Sequence, residues 1–189
     1  MKRIVLIFGL IAGAMLSLMM AVTMSFSDQI GPDHGEILGY TTMVLAFLMV
    51  YFGIRSYRDN VADGVITYWK GFAVGISITL IVCACYVATW EVVYRKFAPD
   101  FYAKYGAKVV DQARAKGATQ AELDVKAAQV AKQMEMYKNP ILNVALTFIE
   151  PLPVGLLFTL VSAGILRRKR RSSGGRAAID AAMPSIGRS

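Results

Sequence analysis

The residues with the clearest capacity for chemistry lie at Glu150-Pro151-Leu152-Pro153. Glu150 is the one charged residue in a run from Ile141 to Leu166 that is otherwise free of charge. Proline lacks an N–H and its ring clashes with the preceding turn, so Pro151 and Pro153 free the carbonyls of Thr147 and Ile149 and break or kink a helix here. Two uses of this cluster are open. In one, a protonated Glu150 donates to a freed carbonyl and the kink only shapes the fold. In the other, Glu150 with Thr147 and Asn143 binds a proton or a cation, as discontinuous membrane helices do. Glu91, beside Trp90 and Tyr94 near the end of another apolar run, is a further acid that such a site could draw on, or else an interfacial carboxylate for Arg95.

Other chemistry finds little support. Cys83 and Cys85, the only cysteines, stand two apart, so on a helix they point to different faces. They make a poor disulfide and lack zinc-site spacing, and are expected to be packing residues. His34, the only histidine, falls in the acidic segment Ser27–Glu36 and is expected to be solvated in a loop. A membrane-embedded enzyme would need a second catalytic group at the depth of Glu150, and the apolar runs hold no histidine or aspartate. The sequence therefore predicts no catalytic residue, no metal site and no cofactor.

The elements that must position Glu150 are apolar blocks. The chain has 189 residues, 56% of them hydrophobic, against roughly 45–50% in soluble domains. The excess is concentrated in Ile4–Phe26, Ile37–Ile54, Gly71–Trp90 and Ile141–Leu166. A helix rises about 1.5 Å per residue, so about 20 apolar residues cross a hydrocarbon layer of about 30 Å. The fold class predicted is all-α: a polytopic membrane protein with spans at about 4–26, 37–54, 71–93 and 141–166. Lys2 and Arg3 before the first block resemble a signal peptide, but its 23 residues exceed the roughly 7–15 of a signal core, so a retained span is expected. Glu150 then lies nine residues into span four, about 13 Å from its outer end. An ionised carboxylate there costs at least about 2.5–3.5 kcal/mol.

Charge sets the expected orientation. Lys2 and Arg3 precede span one; Arg55, Arg58 and Lys70 lie between spans two and three; Arg167-Arg168-Lys169-Arg170-Arg171 follows span four. The first loop holds Asp28, Asp33 and Glu36 and no basic residue. Placing Lys and Arg inside puts both termini in the cytoplasm of a bacterial inner membrane. The segment Arg95–Pro140 strains this rule, with nine basic residues against five acidic ones. Arg55, Arg58 and the run Arg167, Arg168, Lys169, Arg170 and Arg171 are candidate anchors for lipid phosphates, which accounts for the net charge of +8 without a nucleic-acid partner. Residues 1–171 form the expected membrane domain. Residues 172–189, rich in Ser, Gly and Ala, form an expected disordered tail.

Between spans three and four the pattern changes, and residues 99–138 read as an extracytoplasmic amphipathic helical hairpin. Pro99 and Asp100 suit a helix start. Phe101, Tyr105 and Val109 recur every four residues, and Gly117 suits a helix end. Thr119-Gln120-Ala121-Glu122 has the capping-box pattern, followed by an apolar seam at Leu123, Ala127, Val130, Met134 and Tyr137. The seam is expected to pack within the protein, or to serve as a docking surface or a lid. Within the spans, small residues recur every four positions at Gly9, Gly13, Ser17 and Ala21, at Gly71, Gly75, Thr79 and Cys83, and at Gly155, Thr159 and Ala163. Such stripes let membrane helices approach closely and predict a compact bundle within one chain.

The run Tyr51-Phe52-Gly53-Ile54-Arg55-Ser56-Tyr57-Arg58-Asp59 resembles domain of unknown function 4199, a family of bacterial membrane proteins. Ala98-Pro99-Asp100-Phe101, Tyr137-Lys138-Asn139-Pro140 and Glu150-Pro151-x-Pro153-x-Gly155 carry the same resemblance, over about residues 1–170. It implies a four-span inner-membrane protein and supplies no activity. The leading expectation is a non-enzymatic scaffold or accessory subunit. Its partners would be the lipid bilayer and either another membrane or periplasmic protein or a second copy as homo-oligomer. The alternative is a small proton- or cation-coupled carrier centred on Glu150.

Overall fold

The computed structural model describes residues 1–26, 32–97 and 100–167. These form helices α1 (Lys2–Ser25), α2 (Pro32–Asn60), α3 (Tyr68–Lys96), α4 (Phe101–Ala115), α5 (Gln120–Lys138), α6 (Pro140–Ile149) and α7 (Leu152–Leu166), with no strand among the described residues. Lys2–Met24, Ile37–Asn60, Tyr68–Lys96 and Pro140–Leu166 are each long and apolar enough to cross a membrane. Large apolar side chains on their outer faces stay open, Leu18 at 69%, Leu157 at 59% and Ile165 at 67% exposure. An apolar surface of that extent suits lipid rather than water. The architecture is that of a multi-pass membrane protein.

The second helix runs beyond the expected 37–54. A proline is well placed in a first helical turn, and α2 begins at Pro32. His34 is therefore an exposed helical residue, not a loop residue. Asp28 and the rest of 27–31, Ala98 and Pro99, and Arg168, Lys169, Arg170, Arg171 and the tail 172–189 lie outside the described residues.

The small-residue stripes all make close contacts within the chain, but only two of the three meet each other. The α1 stripe faces a different line of α3: a Cβ on Gly9 would strike Ile81, one on Gly13 would strike Cys85, and Ser17 Oγ shares a 2.7 Å hydrogen bond with Thr89 Oγ1. The α3 stripe faces α7 instead. A Cβ on Gly71 would lie 3.4 Å from Ala163, and Thr79 Oγ1 lies 3.1 Å from Thr159 Oγ1. A Cβ on Gly155 would collide with Thr79 and Phe47, so glycine is required for this approach. Phe47, Val50, Ile54, Val74, Ile78 and Val82, all fully buried, fill the centre. The start of α1, the end of α2, the start of α3 and the end of α7 gather at one end of the bundle, since a Cβ on Gly53 would sit 3.3 Å from Phe8 and Gly71 adjoins Ile54 and Ala163.

Helices α4 and α5 form a hairpin at the opposite end. Gly117, at φ +85°, takes the left-handed conformation, and Ala118 N–H closes the turn onto the Ala113 carbonyl at 3.0 Å. The capping box forms: Thr119 N–H donates to Glu122 Oε2 at 2.7 Å and Glu122 N–H to Thr119 Oγ1 at 3.4 Å. These bonds hold the Glu122 carboxyl below its ordinary value. The seam of α4 differs from the expected one. Gly106 and Ala113 are buried while Tyr105 is 40% exposed, because Gly106 lets Val130 of α5 approach where any Cβ would block it. On α5 only Leu123 is buried, and Ala127 is exposed. Asn139 ends α5 and also caps α6, its Oδ1 accepting from Ile141 N–H at 3.0 Å ahead of the first-turn Pro140.

Candidate functional site

The fourth span breaks where the prolines require it. Helix α6 ends at Ile149 and α7 starts at Leu152, with Glu150 N–H still bonded to the Leu146 carbonyl at 3.1 Å and Gly155 N–H to the Pro151 carbonyl at 3.0 Å. The two halves pack differently. Helix α7 lies against α2 and α3, whereas α6 lies against α3 and α5. A cavity of about 750 Å³ lies at the hairpin end, bounded by α1, the first half of α2, the end of α3, the hairpin and α6.

Glu150 lines this cavity from its position ten residues, about 15 Å, along α6 from the hairpin junction. Its carboxylate does not turn back onto the freed carbonyls. Oε2 accepts from the Tyr86 hydroxyl at 3.2 Å, and among the described residues it has no other hydrogen bond and no basic partner at ion-pair distance. Thr147 also lines the cavity. Asn143 lies behind it at 2% exposure, its Oδ1 accepting from Trp90 Nε1 at 3.0 Å and from Thr147 Oγ1 at 3.3 Å. Residues 143, 147 and 150 share one helix face, so the structure brings all three expected residues together, with Asn143 as support behind the wall. Pro151 is buried and Pro153 exposed.

Glu91 does not join them. One position from Trp90, it is turned away from the cavity and its Oε2 lies 2.7 Å from Arg95. Arg58 pairs with Asp59 at 2.7 Å and Arg55 with the same carboxylate at 3.7 Å, at the far end of α2. Arg167, the last described residue, follows α7 at the same end.

The walls also hold residues that the sequence did not assign to the site, although Trp90, Met134 and Tyr137 were named there beside Glu91 and in the hairpin seam. Tyr86 and Trp90, one turn apart on α3, both face the cavity. From α1 come Met19, Met20 and Met24, from α2 Tyr40 and Met43, and from α5 Met134 and Tyr137. Tyr102 stacks on Tyr137 with centroids 4.1 Å apart and meets Trp90 edge-on at 5.7 Å, which ties the hairpin to α3. Burial, then the nearby Glu150 charge, pushes the Tyr137 phenol up; burial and neighbouring phenols do the same to Tyr102. Both remain neutral rings with an O–H at physiological pH. The available signal was the spacing of Tyr86 and Trp90 and the density of methionine in α1, which read as ordinary span composition.

A four-span helical bundle, with its last span broken at an acidic residue and a helical hairpin over a cavity, is the class of protein defined here. Residues 7–168 match the family described as protein of unknown function (DUF4199), and the chain belongs to that family. Neither a curated protein nor a solved structure matches it.

Proposed function

We propose that this membrane protein is a non-catalytic carrier or receptor for a small solute, with the cavity as its binding site and Glu150 as the ionisable group. The observation that carries this reading is a carboxylate inside a membrane span, opening on a cavity of ligand size and held, among the described residues, by a single phenol. Ligand pockets run from about 300 to 1,000 Å³, and acids at membrane depth mark ion and substrate paths. The basic residues at the terminal end support an inner-membrane location with both termini cytoplasmic and the hairpin outside. In that frame Arg55, Arg58 and the Arg167–Arg171 run hold lipid phosphates, and a lipid bilayer is the first partner.

The test is flux in proteoliposomes containing wild-type or Glu150→Gln protein. The expected result is an ion-dependent flux that the substitution abolishes while the protein still inserts and accumulates. Equal flux from both would overturn the carrier. A scaffold or accessory role is the second reading, supported by the face of α5 turned away from α4 and α6, where Val125 is 58% exposed and Ala127 and Gln129 are exposed too. It expects substitutions on that surface to disrupt function in a complemented deletion strain more than Glu150→Gln does; full activity after such trimming counts against it.

A further inference from the structure

We infer that the cavity takes a hydrophobic organic cation, its charge set against the Glu150 carboxylate and its apolar groups against the aromatic and methionine walls. The inference rests on the reading of the cavity as a solute site and names the class of solute.

Three observations converge on it. The first is the charge at depth. Among the described residues Glu150 has only the Tyr86 hydroxyl to stabilise its negative charge, so an entering cation finds a carboxylate that no described lysine or arginine neutralises. Among the described residues the other charged groups on the cavity are Asp100, which precedes α4, and Lys104 and Lys108 on α4, and they are of mixed sign. The second is the character of the walls around that charge. Tyr86, Tyr102 and Tyr137 all lie within electrostatic reach of Glu150, and Trp90 packs against Tyr102. Ring faces attract a cation within about 6 Å of their centroids, and Trp and Tyr do so best. A metal ion would gain little here, because the described residues contain no group of three His, Cys, Asp or Glu side chains fit to hold one.

The third is the remaining surface. Met19, Met20, Met24, Met43 and Met134 line the same space. Thioether chains are flexible and polarisable, and surfaces rich in them fit apolar groups of varied shape. A small hydrated ion would leave that surface unused. An anion would meet the Glu150 carboxylate, and a neutral apolar solute would leave it without a counter-charge. A cation carrying apolar substituents uses all three features together.

The experiment follows Trp90 fluorescence in full-length protein carrying Trp69→Phe. Trp69, the only other tryptophan, is 75% exposed at the terminal end of α3, and phenylalanine keeps a ring there. Tetraphenylphosphonium is titrated as the cation, and triphenylphosphine oxide as a neutral probe of similar substituents. Saturable quenching by the cation is expected, weakened by at least roughly tenfold in Glu150→Gln, with little effect of that substitution on the neutral probe. Tyr137→Leu is expected to weaken the cation by a smaller factor. If the neutral probe binds as well as the cation, or the cation binds Glu150→Gln unchanged, the assigned class is wrong while the cavity stands as a solute site. If neither probe reaches Trp90 at all, the solute-site reading fails with it.

Discussion

At the scale of single residues, the site divides into a group that faces the cavity and groups that hold the wall. Asn143 belongs to the wall: at 2% exposure it supplies the acceptor for both Trp90 Nε1–H and Thr147 Oγ1–H. Replacing it by leucine strands two buried donors, and each unsatisfied buried group costs about 1–3 kcal/mol. Asn143→Leu is therefore expected to lower the thermal midpoint of the solubilised protein clearly, and Thr147→Val, which removes a donor and leaves the Trp90 bond intact, to lower it by much less. The Glu150, Thr147 and Asn143 constellation was legible in the sequence because helical spacing alone puts i, i+4 and i+7 on one face. Glu91 was not separable from it by spacing, since its exclusion depends on one helix rotation between Trp90 and Glu91. Tyr86 was invisible for the complementary reason: its role arises only when α3 and α6 meet.

At the scale of elements, the prolines interrupt the helical hydrogen bonding of span four between α6, which lies on α3 and α5, and α7, which lies on α2 and α3. Restoring the missing donors with Pro151→Ala and Pro153→Ala together should let one continuous helix form. Spin labels on α6 and on the first half of α2 should then report a shorter separation, with the cavity narrowed; an unchanged separation would show that packing, not proline, sets the break. The hairpin carries its own pH signature. Glu122 is held below its ordinary value of 4.5 by the Thr119 amide and hydroxyl, so its contribution is present above that value and fades as pH falls through the lower, folded one. Amide exchange at the first turn of α5, corrected for intrinsic rates, should quicken over that acid range, and Glu122→Ala should remove the dependence. The capping box and the glycine turn were readable because each is a local pattern with a local partner. The α4 seam was not, because the choice between Tyr105 and Gly106 as the inward residue is made by Val130 on another helix.

At the scale of the whole molecule, the four spans could be read from sequence because length and absence of charge are all that crossing a bilayer demands. The pairing of the spans could not. Each small-residue stripe was evident, yet only the assembled bundle shows that the α3 stripe serves α7 while the α1 stripe meets Ile81, Cys85 and Thr89. The proposed orientation makes a separate prediction. With Cys83 and Cys85 replaced by alanine, a cysteine at Gln129 in the hairpin should react with a membrane-impermeant maleimide in intact cells, and one at Asn60, at the terminal end, only after lysis. The reverse pattern would invert the topology and set the basic clusters outside.

The central claim is that Glu150 presents a reachable carboxyl group from within the fourth span to the cavity under the hairpin, and it can be tested with no knowledge of the solute. A hydrophobic carbodiimide, which attacks carboxyl groups in apolar surroundings, is applied to native membranes, and the adducts are located by peptide mass spectrometry. The account predicts one dominant adduct on the peptide carrying Glu150, lost in Glu150→Gln, with Glu91 spared by its pairing to Arg95. Labelling of Glu91 with Glu150 untouched would contradict it, because the carboxyl at the break would then be sealed within the bundle as a purely structural group.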